Sequence, residues 1–405
     1  MDTQSALNNV LKKLNFIYLV LGLSYDSANA TRKAKLKQHF IYVLNFFWLN
    51  SDVLGAIWWF VNGALNGKSF VQLTYVAPCV TFSLFANIRA YTLIHYEAYV
   101  SELINSLRSL EEVENARKRT MERDEIIVKD VKFLNAVINI SNILNFGLIA
   151  TFFMSPLILI VVKYLKTNQW DLLLPFLIIY PFDSHDIRYW PFVYLHQLWS
   201  ESIVVLNICS TDYLLYICCV FIRIQFRLLQ YDFTRIVGKA SVDFDNEAFT
   251  RELVKLVKWH QELIRLSAIL DTVYAKSTLF NFVASSILLC LTGFNVMAME
   301  DKTLACTFLV FLSASLLQIF FVCFFGDLLM KSSTDVSYAI YESKWYLANS
   351  SAENNLHIVQ IRAQKPCKLT AFGFADVNLR SFMSILSTAW SYFALLKTLY
   401  NPNKA

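Results

Sequence analysis

Seven stretches of this chain are long and apolar enough to cross a lipid bilayer: 39–61, 70–95, 131–165, 191–224, 278–299, 304–329 and 377–400. About 20 apolar residues in a helix span the roughly 30 Å hydrocarbon layer. In that layer every backbone N–H and C=O needs a partner within the chain, so the segments must be helical. Composition agrees. Only 17% of the residues are charged, and 33 Phe and 20 Tyr stand against 9 Gly and 7 Pro. A soluble domain carries about 25% charged residues. No polar linker, internal repeat or low-complexity tract divides the sequence. The expected fold is all-α, a polytopic membrane protein with seven transmembrane helices.

The same residues argue against catalysis. The eight Cys fall mostly inside apolar runs, where they act as small hydrophobes. No CxxC pair, HExxH motif, glycine-rich phosphate loop or GxSxG elbow occurs, so no metal or nucleotide chemistry is indicated. Neither an enzymatic activity nor a cofactor nor a nucleic-acid partner is expected.

Orientation follows from Lys and Arg, which accumulate in cytosolic loops. The segments on the side of the N-terminus carry 28, the opposite segments 7, and Arg89 falls within a span. The N-terminus is therefore expected in the cytosol and the C-terminus outside, the reverse of a G-protein-coupled receptor. The sequons Asn29-Ala-Thr31 and Asn349-Ser-Ser351 then face the cytosol and stay unmodified, while Asn139-Ile-Ser141 lies in a span. Residues 14–23 follow Lys12 and Lys13 and precede Ala28-Asn29-Ala30, which resembles a signal-peptide cleavage site. The apolar stretch is short, Asn15 interrupts it, and Arg32, Lys33, Lys35 and Lys37 follow directly. A short amphipathic helix at the inner membrane surface fits these features better than a cleaved leader.

No proline occurs between Pro191 and Pro366, which predicts long unbroken helices. In 247–276, Leu253, Leu256, Val257, Leu263, Ile264 and Leu270 recur at helical spacing, with charged residues elsewhere on the wheel. No turn signal separates this helix from the fifth span. A similar helix, 334–348, follows the sixth. Their apolar faces admit two readings: a packed cytosolic bundle, or helices lying on lipid. The first gives a four-part organisation. Residues 1–38 form a cytosolic N-terminal segment, and 39–330 hold spans one to six with their cytosolic extensions. Residues 331–376 form cytosolic anchor helices, and 377–405 the seventh helix and an extracellular tail.

The last span carries Ser384, Ser387, Thr388, Ser391 and Thr398 at helical spacing, with Leu395 and Leu399 on the same side. Small hydroxyls on an apolar helix either permit close helix packing or line water, with leucines closing the path by dewetting.

Specific motifs accompany this layout. Gln318-Ile-Phe320 leads to Cys323-Phe-Phe-Gly326, then Ser332 and Ser333, then Tyr338-Ala-Ile-Tyr341-Glu-Ser-Lys-Trp345-Tyr346. Arg362-Ala-Gln364-Lys365-Pro366, Leu369-Thr370-Ala371 and Ser391-Tyr392-Phe393-Ala394-Leu395-Leu396 follow. Tyr180-Pro181-Phe182-Asp183 precedes the fourth span. In this order the motifs resemble those of insect odorant receptors, an inverted seven-span family of odour-gated channels.

The resemblance implies one subunit of a tetrameric cation channel in the plasma membrane of an olfactory sensory neuron, assembled with a shared co-receptor. The short connector near 238–246 resembles the odour-specific subunit, because the co-receptor carries a long insertion there. The seventh span would line the pore, with the hydrophobic gate at Leu395 and Leu399 one turn on. A small volatile would bind in the outer halves of the spans. The implied contacts are Tyr75, Val76 and Cys79 on the second span and Phe146, Ala150, Phe153 and Met154 on the third. On the fourth they are His196, Trp199, Ser200, Val204 and Ile208, and on the sixth Thr307 and Val310. The sister gustatory receptors are the main alternative, but their Thr-Tyr…Gln-Phe ending is absent. A secondary transporter would need repeats and broken helices.

Overall fold

In the computed structural model, residues 5–25, 31–117, 120–240, 246–299, 301–347 and 350–400 are described. Among them are ten α-helices: α1 (Ala6–Leu21), α2 (Arg32–Leu65), α3 (Phe70–His95), α4 (Glu97–Asn115), α5 (Met121–Thr167), α6 (Trp190–Ala240), α7 (Asn246–Ala298), α8 (Lys302–Tyr341), α9 (Ser350–Ala363) and α10 (Leu379–Leu399). Each of the seven apolar runs lies on one of them. Five helices, α2, α5, α6, α7 and α8, are long and apolar enough to cross a membrane. The runs on α3 and α10 carry more polar side chains, Gln72, Asn87 and Arg89 on one and the Ser/Thr stripe on the other. Asn29 and Asn349 lie outside the described residues, and Asn139 is exposed on α5.

The proline-free region forms the longest helices: 51 residues in α6, 53 in α7 and 40 in α8. At 1.5 Å per residue α7 is about 80 Å long, far more than a hydrocarbon layer of about 30 Å requires. Its amphipathic first half and its apolar second half form one rod, as the missing turn signal predicts. The helix expected over 334–348 ends earlier. α8 stops at Tyr341, a 3-10 turn takes Trp345–Leu347, and the separate helix α9 follows.

α6 is the axis of the molecule. From 203 to 229 nearly every side chain is buried, with α1, α2, α3, α5, α7 and α8 packed around it. α2 instead turns Phe40, Phe47, Leu54, Trp58 and Leu65 outward, a surface suited to lipid.

At the end where Lys and Arg accumulate, the extensions of α5 to α8 pack with α1, α4 and α9. α1 is amphipathic, but it does more than lie at a surface. It buries Leu7, Val10, Leu11, Leu14 and Leu21 in the bundle and leaves Phe16 and Leu19 exposed. Arg123 forks onto Glu114 with two bonds of 2.6 Å and reaches Asp232 at 2.5 Å, and Arg117 meets Asp232 at 2.7 Å. Arg227 meets Asp130 at 2.9 Å. Such pairs set register between helices, because a half-buried charge tolerates few alternative partners.

A short crossing segment, 364–378, joins α9 to α10. Val377 N–H donates to the Leu369 carbonyl and Ala371 N–H to the Ala375 carbonyl, both at 2.8 Å. Asp271 of α7 accepts the Thr370 N–H at 2.6 Å and its hydroxyl at 3.1 Å. The Ser333 hydroxyl accepts Cys367 N–H at 2.9 Å. Gly326 lies against Val377, and a Cβ there would clash with the Val377 carbonyl. The motif residues Gly326, Ser333 and Thr370 thus fix where α10 begins.

Candidate ligand-binding site

At the end of the bundle opposite the basic one, five helices and a loop line a cavity of about 70 Å³. α2 supplies Leu49, Asp52, Val53 and Ala56, at the i, i+3, i+4, i+7 spacing of one helical face. α3 supplies Tyr75, Val76, Cys79, Val80, Phe82 and Ser83. α5 gives Leu148 and Phe152, α6 gives Ser200, Glu201, Val204 and Val205, and α8 gives Phe311. Phe176, Leu177 and Ile178 close it from the 168–189 loop. The wall is mostly aromatic and branched aliphatic. Phe82 and Phe311 meet edge to face at 5.1 Å, and Phe152 stacks on Phe176 at 5.4 Å.

A polar cluster holds the loop over the cavity. The Tyr180 hydroxyl donates to Asp52 Oδ1 at 2.9 Å, and His196 Nδ1 lies 3.0 Å from the same oxygen. His196 Nε2 is 3.2 Å from the Ser51 hydroxyl, and its ring stacks on Trp48 at 4.9 Å. Gln197 accepts the Phe176 N–H at 2.9 Å, and the Trp190 indole N–H donates to the Leu173 carbonyl at 3.0 Å. The loop crosses α2 at Gly55, where a Cβ would clash with Ile178.

Two further spaces adjoin. A space of about 470 Å³ is lined by Trp59, Gln72, Pro156, Leu174, Met299 and Thr307, among others. Tyr75, Phe152 and Leu177 line both it and the first cavity and so stand between them. On the basic side a void of about 30 Å³ is lined by Ile208, Asp212, Tyr213 and Gln318.

Of the residues singled out in the sequence, Tyr75, Val76, Cys79, Ser200 and Val204 line the first cavity. Thr307 lines the larger space and Ile208 the small void. Phe146, Phe153, Met154 and Trp199 are exposed on the bundle's outside, Ala150 and Val310 are half-buried, and none of the six lines these spaces. On α5 the inward positions are Leu148, Phe152 and Ser155, a different face from the one chosen. His196 holds Asp52 and the loop in place and does not line the cavity. The contributions of α2, of Glu201 and of the loop are not among the sequence candidates. The α2 residues carry a helical signal; the loop residues carry none.

α10 packs on α7 and α8 through Ile385 and Ala389, with Phe382 on Phe320 at 5.5 Å and Tyr400 on Phe294 at 5.4 Å. Ser384, Ser387, Thr388, Ser391, Leu395, Thr398 and Leu399 are all exposed. Thr388 and Ser391 donate to carbonyls one turn back at 2.9 Å, and Thr398 to the Leu395 carbonyl at 2.8 Å. Those hydroxyls present only oxygen lone pairs outward.

Arg89 and Asp212 form an ion pair across α3 and α6 at 2.7 Å, 1% and 4% exposed. Gln318 donates to the other Asp212 oxygen at 2.8 Å, and the Arg89 guanidinium covers the Phe85 ring at 4.7 Å. The charge that falls within a span, Arg89, is thus neutralised by an acidic residue of another span.

Comparison with known proteins places this architecture. Residues 69–390 match the family model described as 7tm Odorant receptor. Odorant receptor 67c of Drosophila melanogaster is 27% identical over 95% of both chains. Odorant receptor 85c of the same organism is 24% identical over 96% of this chain and 99% of its own. Two solved structures of the olfactory receptor OR5 from Machilis hrabei, one in complex with eugenol, superpose with TM-scores of 0.81 and 0.80. Each covers 97% of this chain and 99% of its own at 18% identity. The chain belongs to the seven-transmembrane odorant receptor family, a family of membrane receptors rather than enzymes.

Proposed function

We propose that this chain is the odour-binding subunit of a ligand-gated, non-selective cation channel, with its N-terminus in the cytosol and its C-terminus outside. The apolar cavity carries the reading: it is lined by five helices, covered by a hydrogen-bonded loop and furnished with a few polar groups, the form that small-molecule sites take. The eugenol complex of OR5 supports a small volatile as occupant. Burial of apolar surface at about 25 cal/mol per Å² would supply most of the affinity.

Four subunits, this chain with an odorant co-receptor, surround one pore in the plasma membrane of an olfactory sensory neuron. The α10 face is the pore wall, and Leu395 and Leu399 close it by excluding water. Residues 331–376, with the extensions of α5 to α7, form the cytosolic anchor. The ligand favours an arrangement of α3 and α8 in which α10 tilts and Leu395 leaves the axis. It must bind that arrangement more tightly than the closed one. Co-expression with the co-receptor and current recording across a panel of volatiles tests the proposal. An odour-evoked cation current is expected; none, with surface expression verified, contradicts it.

A further inference from the structure

The cavity between α2, α3, α5, α6 and α8 is mostly apolar but one-sided in its hydrogen bonding. Asp52 and Glu201 line it, they are 6% and 8% exposed, and Asp52 Oδ2 and Glu201 Oε2 are buried without a hydrogen-bond partner. Ser83 and Ser200 also line it, but their protons are already given to the Cys79 carbonyl at 3.0 Å and the His196 carbonyl at 3.1 Å. Four polar side chains thus offer the cavity acceptors. The remaining donors in the wall are the Tyr75 hydroxyl and the weak Cys79 thiol. Asp52 Oδ1 is held by the Tyr180 hydroxyl and His196 Nδ1, whereas Glu201 forms no ion pair among the described residues. A buried carboxylate left without a partner costs several kcal/mol, and a ligand bringing a cationic donor removes that cost.

We infer that the cavity selects a small apolar amine, bound as its ammonium ion between Glu201 and Asp52. This rests on the odour-binding reading and narrows it from any hydrophobic volatile to one with a basic nitrogen. The alkyl part lies against Val76, Val204 and Phe311 and the ammonium faces the two carboxylates. Charge-assisted N–H···O bonds are about twice as strong as neutral ones, so a primary amine should outperform the alcohol of equal chain length by about tenfold in EC50.

The test uses the full chain co-expressed with its co-receptor, with hexylamine, 1-hexanol and 2-heptanone as probes. In the wild type the 1-hexanol to hexylamine EC50 ratio is expected near ten. Glu201→Gln keeps the side-chain shape, removes the charge and should bring the ratio to about one; Asp52→Asn should lower it less, because Tyr180 and His196 already engage one of its two oxygens. Because each ratio is read within one variant, a general loss of expression does not mimic the result. A ratio near one in the wild type, a ratio unchanged in Glu201→Gln, or 2-heptanone as the best agonist overturns the amine assignment. The last result would mean a protonated Glu201 donating to a carbonyl. Responses to other members of the volatile panel without any to hexylamine overturn this inference and leave the receptor reading standing.

Discussion

Thr74 of α3 and Asn295 of α7 clasp each other by two hydrogen bonds deep in the bundle. The Asn295 amide donates to the Thr74 carbonyl at 2.9 Å, and the Thr74 hydroxyl donates to the Asn295 side-chain carbonyl at 3.0 Å. Tyr75, the next residue, lines the cavity. Phe294, the residue before Asn295, packs against Tyr400 at the end of α10. A path of chain neighbours, hydrogen bonds and ring contacts therefore connects the ligand cavity to the proposed pore helix.

Breaking the clasp should weaken coupling as well as stability. Asn295→Ala leaves the Thr74 carbonyl buried without its donor, a cost of about 1–3 kcal/mol. The variant is expected to melt at lower temperature in detergent and, at matched surface expression, to give a smaller maximal current at saturating odour. An unchanged maximal current would show that coupling travels elsewhere.

The Arg89–Asp212 pair makes a sharper stability prediction. Removing one charge strands the other in the core, at about 3–5 kcal/mol. Arg89→Met alone and Asp212→Asn alone should both lose surface expression. The double variant should recover much of it, because the amide introduced at position 212 still accepts from Gln318. Melting temperatures of the four proteins give the coupling energy directly; additive losses would mean that the pair does not act as a unit.

The amphipathic half of α7 contains a pH-sensitive position outside the spans. Burial pushes His260 down to about 4 from the usual 6.5, with Arg362 adding a smaller push in the same direction. The unfolded chain therefore binds more protons than the folded one between those values. This contribution to stability is complete above pH 6.5 and is lost as pH falls towards 4. His260→Phe, which keeps a ring against Phe226, should flatten the fall in melting temperature across that window. A slope equal to that of the wild type would locate the titration at another group.

The particular elements show which physical signals a linear sequence carries. Helix length is readable because α6, α7 and α8 depend on a local property, the absence of proline. The break at Tyr341 is not, because residues 342–347 contain no proline or glycine and still leave the helix. The face of a helix is harder to read than its length. α5 is apolar almost throughout its span, so nothing in its own sequence separates the inward Phe152 from the outward Phe153. α2 does carry the signal, since Asp52 would be costly on a lipid-facing surface and marks the inward side. The loop residues Phe176, Leu177 and Ile178 become part of the cavity only through tertiary bonds to Gln197 and the crossing at Gly55.

The gate assignment rests on an exposed residue, which makes it separable from folding. Leu395 is 54% exposed on the free face of α10, so Leu395→Ala should change stability by no more than about 0.5 kcal/mol. If Leu395 closes the pore by dewetting, its truncation should raise the current recorded without odour. Basal current no greater than that of the wild type would count against it.

The central claim, that occupancy of the apolar cavity opens the channel, is tested by recording current from the chain and its co-receptor with the cavity open and filled. Val204→Trp places an indole where the ligand would sit. The wild type should respond to at least one volatile in a broad panel, and the filled variant, at equal surface expression, should lose that response. A response that survives undiminished in Val204→Trp, or a wild type silent to the whole panel, would contradict the account.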